Sequence, residues 1–525
     1  MNSVVYNELD RSWRSTTKIL FGEEIGELDD YADWIKEYAP TSRERKSHLS
    51  GQSVILATDE YHADAKFISS DEAKKNITLD INEIKDIDSI LNAISEKWEY
   101  CGNRTQGTSA CIDSSDLIVD SQYVSGSMNI DRSSHIFSSF MLRDGCRHVF
   151  GGAFTANSEF LVKVIAAGMA KRCIESHFIG YSSDLYFCFG CYGCNDMMFS
   201  FNQYNKRNCI GNLQLPKDKY YTIKAKLLAE VKDELKRTKT FPSVFSLAAE
   251  GDANTLLQIP AVEREKIDIT PIERSFSSTL KIVCGRESGA MAPYEPWLSK
   301  HTLNLRTVTS PFGSKVFLPD GLGLSAYAAL LPEGLTVSQG EAAHLGSLQL
   351  AEREINDLKS IRQGLARIAF FAADASSGTN RNAIESPTVD NVSNVYKAYA
   401  ATASEYIGMS SLALKSNHVF GCHRIIDSGF CINCYNSLGL NRCFEMDTCT
   451  RCSDSYFCHN CEGIQNAMFC FNIKAKRYAI GNLELLQDKY RNIRESIIEQ
   501  LSSELVKKKD LGIDIYNISC YSHSE

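Results

Sequence analysis

The sequence predicts an α+β protein: an internally duplicated chain with two cysteine-lined, right-handed parallel β-solenoid arrays, each capped by an amphipathic helix. Three observations lead to this prediction. The chain matches itself at an offset of 270 positions, its cysteines are regularly spaced, and an amphipathic pattern follows each matching stretch. Together they indicate two copies of one repeating unit.

The two matching stretches align without a gap, residues 182–220 against residues 452–490. The identities at this offset include the pairs Phe187/Phe457, Cys188/Cys458, Cys191/Cys461, Phe201/Phe471, Gly211/Gly481 and Asn212/Asn482. The alignment continues toward the N-terminus, through Val149/Val419 and Val119/Val389. A match of this length predicts that the two stretches share one fold.

The cysteines of the second copy show a finer period. The nine from Cys422 to Cys470 fall on two phases of a nine-residue repeat. Nine residues would place successive cysteines on opposite faces of an α-helix, whereas stacked extended segments bring equivalent residues into columns. Cysteine is small and apolar enough to fill a buried column. The pattern predicts a β-solenoid whose turn comprises two or three such repeats.

An amphipathic helix follows each array. Its apolar stripe is Ile223, Leu227, Leu228, Val231 and Leu235 in the first copy, and Ile493, Ile497, Ile498, Leu501 and Leu505 in the second. A second helical pattern runs from Glu341 to Ala372. The predicted domains are a mixed α/β domain (1–118), solenoid copy 1 (119–215), a capping helix (216–240), a proline-containing mixed domain (241–388), solenoid copy 2 (389–485), and a capping helix with a tail (486–525).

Composition limits the classes of function. The chain of 525 residues is 43% hydrophobic and 23% charged, which is typical of a globular protein. Its net charge of −9 gives no general attraction to nucleic acid, and no nucleic-acid partner is expected. No apolar stretch is long enough to span a membrane, and the N-terminus does not resemble a cleaved signal. We expect a cytoplasmic protein, with a virion or assembly-associated location as the alternative.

Cysteine pairs of the CxxC form raise a metal hypothesis. Cys449, Cys452, Cys458 and Cys461 form two such pairs and are the candidate ligands of zinc or an iron–sulfur cluster. Only five residues separate the pairs, and the first copy has Ile179 and Ser182 in place of Cys449 and Cys452. Replacement by other side chains fits a buried column better than a ligand set. An apolar ladder without a cofactor, a metal site and a redox function remain open.

No residue is singled out as catalytic. His148 and His418 match across the copies, as hydrogen-bonded corner residues, as ligands or as bases. Asp184 matches Asp454, and Asp218 matches Asp488, which makes them candidate carboxylates of a polysaccharide-cleaving groove. The structural interpretation of these aspartates is a corner for the first pair and a helix N-terminus for the second. Neither a GxxxxGK[ST] nor a GxSxG motif occurs.

The segment FCFGCYGCNDMMFSFNQYNKRNCIGN resembles a family of uncharacterised cysteine-rich tandem-repeat proteins of environmental bacteria, archaea and viruses. Members of that family have rows of CxxC and NC units that end in a phrase of the type CFGCxxLxNKxYCIxN, followed by a Lys/Glu-rich helix. Asn205, Lys206, Cys209, Ile210 and Asn212 fit that ending. This chain departs from the family in having two short arrays rather than one long array. The resemblance implies a solenoid and implies no activity.

These observations predict a non-catalytic structural or scaffold protein, or a protein-binding component of a larger assembly. The expected partner is another protein or further copies of the chain. The alternatives are a zinc or iron–sulfur metalloprotein that uses the CxxC pairs of the second array, and a structural protein of a virion or cell surface. An enzyme is the less favoured class.

Overall fold

The computed structural model describes residues 3–38, 43–74, 86–140, 147, 149–156, 158–169, 171–250, 259, 267–320, 328 and 330–520. Within these residues the protein is α+β, as predicted, and most of its strands belong to parallel sheets. The helices are α1 (Ser3–Phe21), α2 (Ala32–Ile35), α3 (Ile87–Lys97), α4 (Lys217–Thr238), α5 (Val244–Ala249), α6 (Thr270–Cys284), α7 (Glu295–Leu298), α8 (Gln339–Leu345), α9 (Leu358–Leu365) and α10 (Gln487–Lys508).

The strands of the N-terminal half precede α4. They are β1 (Arg43–Lys46), β2 (Ser53–Leu56), β3 (Phe67–Ser69), β4 (Tyr100–Gly102), β5 (Thr105–Gln106), β6 (Ala110–Asp113), β7 (Asp116–Val119), β8 (Gln122–Ser125), β9 (Met128–Asp131), β10 (Ser134–Phe137), β11 (Ser139–Phe140), β12 (Gly151–Ala156), β13 (Lys163–Met169), β14 (Ser176–Ile179), β15 (Ser183–Tyr186), β16 (Cys188–Phe189), β17 (Asn195–Met198), β18 (Arg207–Ile210) and β19 (Leu213–Gln214).

The strands of the C-terminal half lie between α7 and α10. They are β20 (Asn304–Thr309), β21 (Lys315–Asp320), β22 (Thr336–Val337), β23 (Phe371–Ala372), β24 (Ala375–Ser377), β25 (Arg381–Ile384), β26 (Thr388–Asp390), β27 (Ser393–Tyr396), β28 (Ala400–Thr402), β29 (Glu405–Gly408), β30 (Leu412–Leu414), β31 (Asn417–Phe420), β32 (His423–Ile426), β33 (Gly429–Leu438), β34 (Asn441–Asp447), β35 (Ser453–His459), β36 (Gln465–Met468), β37 (Arg477–Ile480) and β38 (Leu483–Glu484).

The chain divides into two compact units, and each unit is assembled from three stretches of sequence. Unit 1 comprises residues 1–43, 103–263 and 307–374. Unit 2 comprises residues 44–102, 264–306 and 375–525. The leading stretch of each half, 44–102 or 307–374, therefore belongs to the unit whose parallel strands come from the other half.

Each unit contains one column of parallel strands, named here stack 1 (residues 105–210) and stack 2 (residues 375–480). In stack 2, Val395 pairs with Ile407, Ile407 with Val419, and Val419 with Cys431. In stack 1, Leu185 pairs with Met197 in the same way. Most partners lie twelve positions apart, so the stacking period is twelve residues. The turn of two or three nine-residue repeats predicted from the cysteines is therefore wrong.

The nine-residue spacing of the cysteines arises from a shorter period of three residues in burial and backbone conformation. In stack 2, every third residue from Cys422 through Ile425 and Ser428 to Cys431 is buried. Between these positions, every third residue from Arg424 onward has a positive φ, for example 51° at Arg424, 48° at Asp427 and 54° at Phe430. One left-handed residue in three turns the extended chain at each step. All nine cysteines from Cys422 to Cys470 lie at these buried positions. A spacing of nine residues therefore corresponds to three steps of three residues each.

The interior of each stack is a separate apolar core. In stack 2 it contains Val395, Ile407, Val419 and the cysteines from Cys422 to Cys470. In stack 1 it contains Ile118, Val124, Ile130 and the cysteines from Cys173 to Cys209. Side chains of one to four heavy atoms, those of Ala, Cys, Val, Ile, Leu and Met, fill these interiors.

The predicted amphipathic helices are present as α4 and α10. Each is 22 residues long, and each follows a short antiparallel pair at the end of its stack. Ile223, Leu227 and Leu235 are buried on α4, and Ile497 and Leu505 are buried on α10. Both helices end at a lysine in the left-handed conformation, Lys239 (φ 60°) and Lys509 (φ 62°).

The single helix predicted from Glu341 to Ala372 is wrong. The structure has α8 and α9 there, separated by a non-helical connection from Gly346 to Asp357. Two N-caps explain the split, because Ser338 accepts a hydrogen bond from the Glu341 amide and Asp357 accepts one from the Ser360 amide. The apolar residues of the two short helices together have a spacing similar to that of one long amphipathic helix, which led to the wrong prediction.

Candidate functional site

Serine and cysteine side chains form a hydrogen-bonded ladder inside the stacks. In stack 1, Ser121 Oγ donates to the Val119 carbonyl (2.7 Å) and accepts from the Ser133 amide (3.0 Å). In stack 2, Cys422 Sγ donates to the Phe420 carbonyl (3.4 Å) and accepts from the Cys434 amide (3.2 Å). The cysteine thiol in stack 2 thus makes the same two kinds of hydrogen bond as the serine hydroxyl in stack 1. Each side chain supplies the acceptor for a backbone amide twelve residues later, that of Ser133 or that of Cys434.

The four predicted metal ligands belong to this ladder. Cys449, Cys452, Cys458 and Cys461 are buried, and each thiol donates to the carbonyl two residues earlier, at 3.3 Å. The Cys461 amide also donates to Cys449 Sγ (3.4 Å). Across the part of the chain that the structure describes, no three or more His, Cys, Asp or Glu side chains are grouped as a metal site would require. Metal ligation by these cysteines stays a prediction.

Ionisation of these thiols differs within the ladder. Burial raises the pKa of Cys449 and of Cys458 well above the usual value. Burial also opposes ionisation of Cys461, but the contacts of its thiol with the side chains of Cys449 and Cys458 outweigh burial and lower the pKa of Cys461 to about 7. Cys461 is therefore the thiol of this group that loses its proton most easily.

The predicted carboxylates occupy structural positions. Asp184 (φ 55°) and Asp454 (φ 50°) are left-handed corner residues, and Asp454 forms a bidentate ion pair with Arg442 at 2.7 Å. Asp218 and Asp488 lie in the first turn of α4 and of α10, where a negative charge is favourable. The corner and helix interpretations are thus supported by geometry.

Of the two matched histidines, the structure describes His418. His418 is a left-handed corner residue (φ 53°) whose ring lies between those of Tyr406 and Phe430, at 4.9 and 4.5 Å. These three residues are twelve positions apart and form one column of stack 2. His148 lies outside the described residues.

A buried polar cluster on the side of stack 1 was not anticipated. Flank cluster 1 consists of Tyr38, Lys163, Glu175 and His177. Glu175 accepts hydrogen bonds from Tyr38 OH (2.8 Å) and from the Val244 amide (2.8 Å), and Lys163 Nζ lies 3.5 Å from its second oxygen. Lys163, Glu175 and His177 have no exposed surface. The cluster joins the N-terminal segment and α5 to the stack.

Charge compensation keeps Glu175 ionised. Burial opposes ionisation, but the charge of Lys163 and the hydrogen bonds of the site outweigh it and lower the pKa of Glu175 to about 2. The Tyr38 pKa is raised well above normal, by burial and by the nearby Glu175 charge. Lys163 also pairs with Glu37 and lies over the Tyr38 ring, 4.5 Å from its centroid.

The side of stack 2 has its own polar cluster. Flank cluster 2 contains Asn433, Glu445, Asp447 and His459, which lie 270 positions after Lys163, Glu175, His177 and Phe189. Glu445 accepts from the Asn433 amide group (2.9 Å) and from the Ile515 backbone amide (3.0 Å). Asp447 accepts from Tyr61 OH (2.7 Å) and contacts His459 Nδ1 (2.9 Å). The C-terminal tail and residues 44–102 are thereby fixed to the stack.

His459 of flank cluster 2 and His301 in the same unit are in different protonation states. His459 Nε2 accepts from the Cys101 amide (2.9 Å), so the proton is on Nδ1, which donates to Asp447, and the ring is neutral. His301 contacts Asp514 (3.1 Å) and Glu60 (2.7 Å) through its two nitrogens. Burial opposes the charge on His301, but these two carboxylates raise its pKa to about 9. Both histidines are engaged in holding chain segments together.

A signal for the flank clusters was present in the sequence. Cys173 and Glu175 match Cys443 and Glu445 at the offset of 270. A glutamate retained next to a buried cysteine column indicates a buried carboxylate with dedicated partners. The partners themselves come from distant segments, which no local pattern identifies.

Exposed side chains differ between the stacks at equivalent positions. The tyrosine column of stack 1 consists of Tyr192 and Tyr204, which are twelve positions apart, and Tyr181 lies next to its first position, Gly180. Tyr181 and Tyr204 are 81% and 45% exposed. The rings of Tyr192 and Tyr204 are parallel at 5.7 Å, and Tyr192 lies over Gly180, where a Cβ would come within 2.5 Å of the ring. Stack 2 has Arg451, Glu462 and Lys474 at these positions, with an ion pair between Lys474 and Glu462 (2.8 Å).

Comparisons with protein-family models, curated proteins and solved structures gave no match to this chain. Among the described helices, none has the length and apolarity needed to cross a membrane.

Proposed function

We propose that the protein is a non-catalytic scaffold that binds a protein partner within a larger assembly. Its framework is an internal duplication of a parallel β-solenoid capped by a helix. The interior positions of both stacks hold packed or hydrogen-bonded side chains, and the flank clusters hold chain segments in place. The protein thus offers rigid outer columns whose side chains repeat every twelve residues, at about 4.8 Å.

Equivalent contacts support the duplication. Lys239 and Lys509, 270 positions apart, contact Tyr31 OH (3.5 Å) and Tyr294 OH (3.2 Å) at the ends of α4 and α10. Asn202 and Asn472, at the same offset, donate to the carbonyls of Phe370 (2.8 Å) and Glu99 (3.0 Å). Repetition of both sets of contacts is expected when two copies of one ancestral fold share a chain.

The tyrosine column is the observation on which partner binding rests. Tyrosine combines a large apolar ring with a polar hydroxyl group, and it is enriched at the energetic centres of protein interfaces. The backbone hydrogen bonds along the stack hold the backbone at Tyr181 and Tyr204 in place, so that little backbone entropy is lost on binding. The equivalent column of stack 2 is charged, which makes stack 1 the recognition side.

The test compares equivalent pairs of substitutions in the two stacks. Tyr181→Ser with Tyr204→Ser removes the aromatic surface, and Arg451→Ser with Lys474→Ser changes the equivalent positions of stack 2. Immobilised wild-type and variant chains are exposed to extract of the source cells, and self-association is followed by light scattering over a range of concentrations. We expect the tyrosine variant alone to lose the bound protein or the oligomer by at least about tenfold, with its melting temperature unchanged.

Equal binding by all three chains would contradict this proposal. A hydrolytic or lyase activity that is lost on substitution of Asp184 or Asp454 in a folded protein would replace it with an enzymatic function.

A metalloprotein is the second candidate, and one observation favours it. Cys449, Cys452, Cys458 and Cys461 all point into one short length of stack 2, and the pKa of Cys461 is about 7. Elemental analysis of protein purified under reducing conditions without chelator tests this function. One or two zinc atoms, or several iron atoms, per chain would support it, and loss of the metal in Cys461→Ser would identify the site.

A further inference from the structure

Each stack binds a leading segment of the chain, residues 44–102 on stack 2 and residues 307–374 on stack 1. In unit 2 the segment ends against the last strands of the stack. The Cys101 amide donates to His459 Nε2 (2.9 Å), the Glu99 carbonyl accepts from Asn472 (3.0 Å), and the rings of Trp98 and Phe471 are 4.8 Å apart.

Unit 1 repeats this arrangement with the other leading segment. The Phe370 carbonyl accepts from Asn202 (2.8 Å), and the ring of Phe371 lies 5.0 Å from that of Phe189. The helices of the two segments are also held alike. The Leu358 amide at the start of α9 donates to Glu230 of α4 (2.8 Å), and the Ile87 amide at the start of α3 donates to Gln500 of α10 (3.2 Å).

Chain length prevents a leading segment from docking on the stack that follows it directly. Cys101 contacts His459, whose equivalent in stack 1 is Phe189. From Thr105 to Phe189 the strand pairings make seven steps, which correspond to about 34 Å. The four residues from Cys101 to Thr105 can reach at most about 14 Å.

The second leading segment meets the same limit. Phe371 contacts Phe189, whose equivalent in stack 2 is His459. Seven pairing steps separate Ala375 from His459, and again only four residues connect Phe371 to Ala375. A leading segment can therefore complete only a stack that is not its own.

We infer that the two halves of the chain are complementary subunits, each of which supplies the leading segment that completes the stack of the other half. The interaction surface is the side of the last strands of each stack, and its partner is the leading segment of the other copy of the repeated unit. This inference rests on the duplicated architecture proposed above. It predicts that the halves stay associated when the peptide chain between them is cut.

The experiment uses the full chain with a protease recognition sequence inserted between Glu250 and Ile267. After cleavage, the mass of the native particle is measured by size exclusion with light scattering. Zero-length carbodiimide coupling then identifies the contact, because the ion pair of Lys219 and Glu352 joins the two fragments, whereas that of Lys239 and Asp30 lies within one fragment. Lys219→Arg keeps the charge and removes the amine that the reagent requires.

We expect the cut protein to keep the mass of the intact chain until denaturant is added. We also expect a Lys219–Glu352 cross-link between the fragments, which Lys219→Arg abolishes while the Lys239–Asp30 cross-link remains. Separation of the fragments in native buffer would overturn the inference, as would the Lys239–Asp30 cross-link without the Lys219–Glu352 one. If the insertion prevents folding, the same two cross-links are mapped in the unmodified chain.

The tyrosine substitutions are tested on the uncut chain. Loss of partner binding and loss of fragment association are thus separate results, and either proposal can fail alone.

Discussion

Glu175 and Glu445 occupy equivalent positions in the two stacks and have opposite pKa shifts. Both are fully buried, and each accepts a backbone amide from the segment that follows the capping helix, Val244 in one unit and Ile515 in the other. The pKa of Glu175 is lowered to about 2, whereas burial and the nearby Asp514 charge raise the pKa of Glu445 to about 8.

One substitution contributes to this difference. Glu175 lies beside the buried ammonium of Lys163, and the equivalent neighbour of Glu445 is the neutral Asn433. Without a cation, burial and Asp514 make ionisation of Glu445 unfavourable. The same backbone arrangement therefore uses an ion pair in unit 1 and a protonated carboxyl group at neutral pH in unit 2. The carboxyl group has the same position in both units, and the neighbouring side chains determine whether it is charged.

The largest expected effect is that of Glu175→Gln. The change leaves the buried Lys163 with Glu37 as its remaining acidic partner, so we expect a loss of about 3 kcal/mol in the free energy of unfolding at neutral pH. Glu445→Gln is the matched control and should change it by less than about 1 kcal/mol, because Glu445 is already protonated there. Urea unfolding of both variants measures this difference, and equal losses would contradict the assigned charge states.

A smaller loss is expected when the ladder of stack 1 is interrupted. Ser121→Ala leaves the buried Ser133 amide without its acceptor, which should cost about 1–2 kcal/mol. Ser121→Cys restores a side chain that plays this role in stack 2 and should recover part of the loss. Urea unfolding of the two variants gives the comparison. No recovery with cysteine would show that thiol and hydroxyl are not equivalent in the ladder.

The dependence of stability on pH should differ between the units. The folded pKa of Glu445 is raised, so its stabilising contribution is present below its unfolded pKa and is lost as the pH rises toward about 8. His301 adds a loss in the same direction as the pH rises toward about 9. Glu175 acts oppositely, because its lowered pKa gives stability that is lost as the pH falls toward about 2.

Melting temperatures measured against pH test these signs. Glu445→Gln should flatten the decline in stability between about pH 4.5 and pH 8 and leave the decline below pH 4.5 unchanged, whereas Glu175→Gln should flatten only the decline below pH 4.5. A decline between pH 4.5 and pH 8 that is identical in wild type and Glu445→Gln would exclude Glu445 as its source.

The smallest effect is expected for Cys422→Ser, at less than about 1 kcal/mol. A hydroxyl can donate to the Phe420 carbonyl and accept from the Cys434 amide as the thiol does, and Ser410 already does so one turn earlier in the same column. Calorimetry of Cys422→Ser and of the wild type measures this change in the free energy of unfolding. A loss of several kcal/mol would indicate that the sulfur has a role beyond packing.

The sequence predicted the parallel strands and the helices α4 and α10, because their patterns are local and repeated. Replacement of Cys452 by Ser182 across the copies indicated a buried column, and both side chains are buried. The stacking period was missed because cysteine occupies only some positions of a three-residue phase, and serine, alanine and isoleucine occupy the rest. The contacts of Tyr61 with Asp447 and of Phe371 with Phe189 link residues 386 and 182 positions apart, and periodicity does not encode such contacts.

The most direct test of the scaffold is the reactivity of its thiols, mapped residue by residue with a thiol reagent on the native and the unfolded chain. Cys111 is exposed and Cys520 is partly exposed, whereas the ladder cysteines are buried. We expect Cys111 to react at once, Cys520 more slowly, and Cys449, Cys452, Cys458 and Cys461 only after unfolding. Rapid reaction of these four in the native chain, or protection that survives unfolding until a chelator is added, would contradict the packed, hydrogen-bonded ladder.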